Sequence, residues 1–183
     1  QARIGWTPIA QLNFDADTAV DKFTQENGSQ GEGAAHAIGI RWMPISAVTA
    51  SARFRTQGRS FITVSDISTV TTTNDTRVQD YNVVFTPWPF LTSQAGVILE
   101  DYGNVSAASA INTQTRNISE LTGLSIRFPA SIDLGINFER KRTRNKLNGA
   151  ESPKEAWRTR ASYPLMGGGQ LTYEFEVERN SGE

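Results

Sequence analysis

A period of two runs through this chain and leaves it few folds. After Pro129, Ile132, Leu134, Ile136 and Phe138 fall on one side of an extended backbone, and Asp133, Gly135, Asn137 and Glu139 on the other. Near the end, Leu171, Tyr173, Phe175 and Val177 alternate with Thr172, Glu174, Glu176 and Glu178. Just before them Trp157, Thr159, Ala161 and Tyr163 alternate with Arg158, Arg160 and Ser162. The same rhythm carries Ile38, Ile40 and Trp42, then Ala50, Ala52 and Phe54, then Leu124, Ile126 and Phe128. Weaker runs go from Tyr81 to Phe85 and from Ala95 to Leu99, and the start offers Leu12 and Phe14 after a short piece from Ile4 to Trp6. The pattern predicts an all-β chain of about ten antiparallel strands, each apolar on one face and polar on the other.

Aromatic–proline stops punctuate the alternation. They are Trp6-Thr7-Pro8, Trp42-Met43-Pro44, Phe85-Thr86-Pro87 followed by Trp88-Pro89, Phe128-Pro129 and Tyr163-Pro164, spaced by roughly 35 to 43 residues. That interval holds one strand up, a loop and one strand down, so the stops mark one end of a repeated hairpin. Connections at this end are short. At the other end the segments Asn27 to Gly33, Ser65 to Thr76, Asn104 to Ser119 and Lys141 to Lys154 are rich in Gly, Asn, Ser and Thr or in charge, and are expected to be long loops. Apart from Pro153, placed in such a loop, the prolines sit at turns, where no ladder bond is required. Trp6, Trp42, Trp88, Phe128 and Tyr163 would then form a ring at a single level, the arrangement found at a membrane interface.

Composition allows this. With 38% hydrophobic residues no stretch reaches the ~20 apolar residues of a spanning helix, whereas a spanning strand needs only one apolar face. Basic and acidic residues, 18 against 19, nearly cancel, so no nucleic-acid footprint stands out. The absence of cysteine excludes disulfides and thiol chemistry, and a secretory signal is either already removed or was never there.

The alternating strands, aromatic–proline turns and unequal loops together resemble bacterial outer-membrane β-barrels, across the whole chain and as a general class. The resemblance implies an up-and-down transmembrane barrel in the outer membrane, with short proline turns on the periplasmic rim, long polar loops outside and the polar face lining a lumen. It implies the lipid bilayer and lipopolysaccharide as partners, with other chains of an outer-membrane complex. It also implies a non-enzymatic role as pore, transporter or assembly platform, without a cofactor. Barrels of this class tend to close on a terminal aromatic, whereas this chain continues from Val177 through Glu178 to Glu183. With proline turns in the periplasm, both Gln1 and Glu183 come to the outer side, so residues 1–183 are expected to be a contiguous segment of a larger barrel; the alternative is one intact barrel domain of eight to ten strands with a trimmed N-terminus. The competing function class is a soluble or surface-attached all-β binding or adhesin module.

Alternation also assigns the lumen charges. Arg158 and Arg160 face Glu174, Glu176 and Glu178 on the next strand, and Arg127 and Glu139 are expected to meet across the Pro129 turn. Arg41, Arg53 and Arg55 are expected to form a basic patch without nearby carboxylates. Catalytic material is scarce: any Ser-His-Asp arrangement would run through His36, the single histidine, which reads better as a satisfied strand residue. Asp15, Asp17 and Asp21 have the density of a calcium loop without its glycine and terminal Glu, and read as acidic loop residues near the outer rim. Gly167 to Gly169 read as a turn. The basic run from Arg140 to Lys146 is expected on an outer loop, where it would suit lipopolysaccharide phosphates or a partner protein. Asn27, Asn74, Asn104 and Asn117 each open an Asn-x-Ser/Thr triplet on the long-loop side.

Overall fold

The computed structural model describes residues 2–24, 30–58, 75–103, 114–165 and 169–180. Their strands are β1 (Ala2–Ile9), β2 (Leu12–Thr24), β3 (Gln30–Ile45), β4 (Val48–Gln57), β5 (Asp75–Trp88), β6 (Leu91–Gly103), β7 (Thr115–Phe128), β8 (Ile132–Asn145), β9 (Glu151–Pro164) and β10 (Gln170–Asn180). Each strand pairs antiparallel with its neighbours in sequence, in one 10-stranded sheet of order β1 to β10. The up-and-down architecture expected from alternation is present. Closure is not: β1 pairs with β2 and β10 with β9, and no ladder joins β1 to β10.

Short turns do lie at the aromatic–proline end, at residues 10–11, 46–47, 89–90 and Pro129–Ser131. Three of these hairpins share one geometry. The ladder slips between Trp6 and Ile9, between Trp42 and Ile45, and between Phe85 and Trp88, each time across an x-Pro pair, and resumes with Ile9 opposite Leu12, Ile45 opposite Val48 and Trp88 opposite Leu91. A bulge accommodates proline because the missing N–H falls where the ladder is already interrupted. Neighbouring hairpins are then tied at this rim by a repeated backbone bond: the N–H groups of Met43, Thr86 and Arg127 donate to the carbonyls of Gln11, Ala47 and Phe90, each at 2.7 Å.

The strands run further into the polar segments than composition suggested. Residues 30–33 belong to β3, 75–76 to β5, 115–119 to β7, 141–145 to β8 and 151–154 to β9, so these parts of the expected loops are strand; 25–29, 59–74 and 104–113 lie outside the described residues, and 146–150 is a turn. Ladder pairing overrides composition here. Asn117 is a strand residue, donating through Nδ2 to Glu100 at 3.1 Å, while Asn27, Asn74 and Asn104 lie outside the described residues. Pro153 is also in a strand, opposite Arg142, and lies beyond Lys154 and Asn180, the last described pair of β9 with β10, where the strand has no second ladder to break. Asp15, Asp17 and Asp21 lie in β2 rather than in a loop. The 146–150 turn is held by Gly149, at φ 73°, whose N–H donates to the Asn145 carbonyl at 2.9 Å. Gly169 accepts from the Leu165 N–H at 2.8 Å, while Gly167 and Gly168 lie outside the described residues.

Among the described residues Gly33, Gly39, Ser119, Gly123, Ala156 and Ser162 are buried, all small and all on the polar face. The large apolar side chains of the other face stay open, Trp6 at 62% and Tyr173 at 62% exposure against 3% for Ala156. On the polar face the small residues are therefore covered by the long side chains around them. The chain exposes 13063 Å², where a compact monomer of its 20.1 kDa would expose about 8,700 Å².

Candidate functional site

Among the described residues the polar and charged groups divide between the two faces of one sheet. On the polar face, β8, β9 and β10 present a ladder of ion pairs. Arg158 bridges two carboxylates, donating to Glu176 at 2.8 Å and to Glu139 at 2.9 Å. Arg160 lies 3.4 Å from Glu174, and Lys154 lies 2.7 Å from Glu178. Register produces the rungs: Glu174, Glu176 and Glu178 stand opposite Arg160, Arg158 and Ala156. The expected pairing of β9 cations with β10 carboxylates is present.

Two expected charge relations are not. Arg127 meets Asp133, not Glu139, at 2.8 Å, because the short Pro129 turn sets Arg127 directly opposite Asp133 and carries Glu139 up the strand to Arg158. The patch of Arg41, Arg53 and Arg55 does have carboxylates beside it. Arg53 is 4.0 Å from Asp17, which also pairs with Arg3 at 3.4 Å, and stands opposite Asp80 of β5. Asp17 comes from β2, two strands away, and the register of β2 and β4 on β3 brings it near. Arg41 makes no ion pair among the described residues.

Glycines let polar groups cross this face. Gln94 of β6 donates to Asn137 of β8 at 3.3 Å, passing over β7 at Gly123. A Cβ on Gly123 would meet Asn137 Oδ1 and lie 2.8 Å from Gln94 Nε2. Gly39 lies likewise beneath the Asp15 carboxylate. Gly135 differs, since nothing stands within 4 Å of a Cβ placed there. It opens a trough of about 400 Å³ flanked by Ser125, Arg127, Asp133 and Arg160. Towards the loop end Tyr102 is partly buried beside Glu100, and burial first, then the neighbouring carboxylate, push its phenol above the ordinary value.

On the apolar face, Trp6, Trp42, Trp88, Phe128 and Tyr163 all lie near the short-turn end, on β1, β3, β5, β7 and β9, and all are exposed. Trp6 stacks on Phe14 at 5.4 Å between centroids, and Trp88 on Phe90 at 5.8 Å. A second aromatic level went unread in the sequence. Phe54, Tyr81, Phe138 and Trp157 share this face towards the loop end, with Phe138 and Trp157 in contact at 4.5 Å. Their mutual spacing from the turns was the available signal, hidden by the absence of neighbouring prolines.

Beyond that level the apolar face becomes charged. Arg140 and Glu155 lie 3.6 Å apart, Arg142 and Glu120 2.6 Å, and Arg144 and Glu151 3.8 Å. The basic run from Arg140 to Lys146 is thus mostly a strand rim, and not an outer loop, because its residues find carboxylates on β7 and β9. His36 also sits on this face, its Nδ1 3.3 Å from Thr18 Oγ1 and its ladder partners Thr18 and Thr56. No serine–histidine–carboxylate arrangement forms around it among the described residues. No group of three or more His, Asp or Glu that could hold a metal ion occurs there either. Among the described residues no helix is long and apolar enough to cross a membrane, which leaves strand spans untouched. Comparison with protein-family models, with curated proteins and with solved structures found no match.

Proposed function

We propose that these ten strands form a wall of an outer-membrane β-barrel, apolar face to lipid and polar face to a lumen, with a non-enzymatic role in passing or docking a polar solute or partner chain. One observation carries the proposal: exposure is inverted, with large apolar side chains open on one face and the buried residues confined to the polar face. Such a surface needs a cover, and hydrocarbon covers all of it at once.

Three features support the same reading. The mainly apolar faces from Leu12 to Val20 on β2, interrupted by Thr18, and from Leu91 to Leu99 on β6, interrupted by Ser93, span about nine residues, the length of a tilted spanning strand. Aromatic residues bound the band on both sides, as two interfacial girdles would. The polar face is lined by paired charges, whose partners remove much of the penalty of a narrow lumen. In hydrocarbon an open edge leaves backbone groups unpaired, so β1 and β10 would each take a further strand, from this protein or from another chain of the complex.

The test is physical. The chain should require detergent or lipid to remain monodisperse, and unheated samples should migrate anomalously on gels. Full solubility as a monomer in plain buffer would overturn the proposal in favour of a surface-attached binding or adhesin module.

A further inference from the structure

Gly135 leaves a gap in a grid of polar side chains near the short-turn end of the polar face. Register sets the grid: Ser125 of β7 and Arg160 of β9 stand opposite Gly135, and in the next row Arg127 and Ser162 stand opposite Asp133. Asn137 bounds the gap on its other side along β8. A Cβ on Gly135 would meet nothing within 4 Å, whereas one row away the crossing Gln94 and Asn137 side chains fill the space over Gly123. The trough so formed, of about 400 Å³, falls within the range of about 300–1,000 Å³ found for small-ligand sites.

The groups around this gap keep bonding capacity. Ser162 lines it, is only 5% exposed, and has no hydrogen-bond partner among the described residues. A side-chain hydroxyl so buried normally has one. Arg127 donates to Asp133 Oδ1 through Nε at 2.8 Å, which leaves the terminal N–H groups of the arginine and Oδ2 of the aspartate. Arg160 likewise approaches Glu174 through Nε, at 3.4 Å. Asn137 accepts from Gln94 through Oδ1 and keeps its amide N–H groups. Donors and acceptors are thus interleaved around one empty position.

That mixture selects a ligand class. Each arginine already has a carboxylate beside it, so the trough calls for no counter-ion. An anion would serve the guanidiniums and meet Asp133 as a like charge, and a cation would reverse the mismatch. A hydroxyl both donates and accepts, so neighbouring hydroxyls on one ring can serve a carboxylate oxygen, a serine hydroxyl and a guanidinium together. We infer that the trough binds a neutral saccharide, with one ring seated over Gly135 and its hydroxyls hydrogen-bonded to Asp133, Asn137, Ser162 and the terminal nitrogens of Arg127 and Arg160. A bulky side chain at position 135 would take the place of the ring. This rests on the reading of the polar face as a lumen wall and names the class of solute that the wall takes.

The full chain is refolded into dioleoylphosphatidylcholine vesicles and tested for flotation, then titrated with the methyl pyranosides of glucose, galactose and N-acetylglucosamine and read by saturation-transfer NMR. Transfer to the ring protons of at least one glycoside is expected, undiminished by sodium sulfate or glycine at the same concentration. Ser162→Ala should weaken that binding about threefold, the value of one neutral hydrogen bond. Gly135→Leu, whose Cβ has open space, should weaken it tenfold or more while the far-UV strand signature of the parent is retained. Transfer to none of the three glycosides, or either variant binding like the parent, would overturn the inference while flotation still upholds the membrane wall. Displacement by sulfate or by glycine would overturn the neutral saccharide as the ligand class. Failure to float overturns both the wall and its lumen site.

Discussion

Leu124 and Ser125 are neighbours on β7 that face opposite sides, and a single arginine scanned across them measures what covers each face. Leu124 stands opposite Ser93 and Ile136 on the apolar face and is 42% exposed. If lipid covers that remaining surface it contributes roughly 1 kcal/mol, a little under half the value of burying a whole leucine. An arginine near mid-bilayer costs a further ~2–4 kcal/mol. Leu124→Arg should therefore destabilise by about 3–5 kcal/mol in lipid. On a water-exposed sheet the guanidinium would stay hydrated and its stem would lie over the neighbours, and the change would be about 1 kcal/mol or less. Ser125→Arg is the control at the same depth. It stands opposite Thr92 and Gly135, where there is open space, and Asp133 is available to pair. Its expected change is within about 0.5 kcal/mol. Reversible urea unfolding in vesicles, followed by tryptophan fluorescence, reads both. A small and equal effect for the two variants would refute the assignment of the apolar face to lipid.

Arg158→Gln should remove both charge-assisted bonds and leave Glu139 and Glu176 near each other without their shared cation; being half exposed, the cluster should lose about 1–2 kcal/mol by the same unfolding assay, less at high salt. Gly149→Val should cost about 1–2 kcal/mol because φ 73° is a left-handed conformation, whereas Gly135→Ser should be neutral within about 0.5 kcal/mol; an equal loss at both would contradict the backbone account. Thr86→Pro deletes the N–H that donates to Ala47 and should lower stability by about 1 kcal/mol or more, with faster exchange of the amides around the 46–47 turn. Single-tryptophan proteins retaining Trp42 or Trp157 should both be quenched best by lipids brominated near the headgroup, and deepest quenching of Trp157 by mid-chain bromines would remove the second aromatic girdle.

Alternation was legible because a strand repeats every two residues regardless of its surroundings, so Ile132 to Phe138 and Leu171 to Val177 could be assigned to one face before any pairing was known. Turns were legible through proline, whose missing N–H restricts it locally. What could not be read was set by pairing between strands. Asp17 reaches Arg53 only because β3 lies between them in a fixed register, and Arg127 takes Asp133 because the Pro129 turn is short. The segment from Lys141 to Asn145 looked like the start of a polar loop rich in Gly, Asn, Ser and Thr, yet alternation continues there with Arg140, Arg142 and Arg144 on one face and Lys141 and Thr143 on the other.

That continuation bears on how the two faces divide their work. A soluble sheet with one apolar face would carry that character until the strand ends, since its cover is a second layer of matching length. Here the apolar face changes to charge partway up β7, β8 and β9, while the strands and their ladders run on for several more pairs. The boundary follows no turn and no break in hydrogen bonding. It follows a level, marked below by Tyr81, Phe138 and Trp157 and above by Arg140, Arg142 and Glu155. A cover with a sharp planar edge, as in the membrane reading proposed above, would account for such a level. The polar face has no such boundary and carries ion pairs from Arg127–Asp133 beside the short turns to Lys154–Glu178 near the far rim, as expected if one medium fills it from end to end.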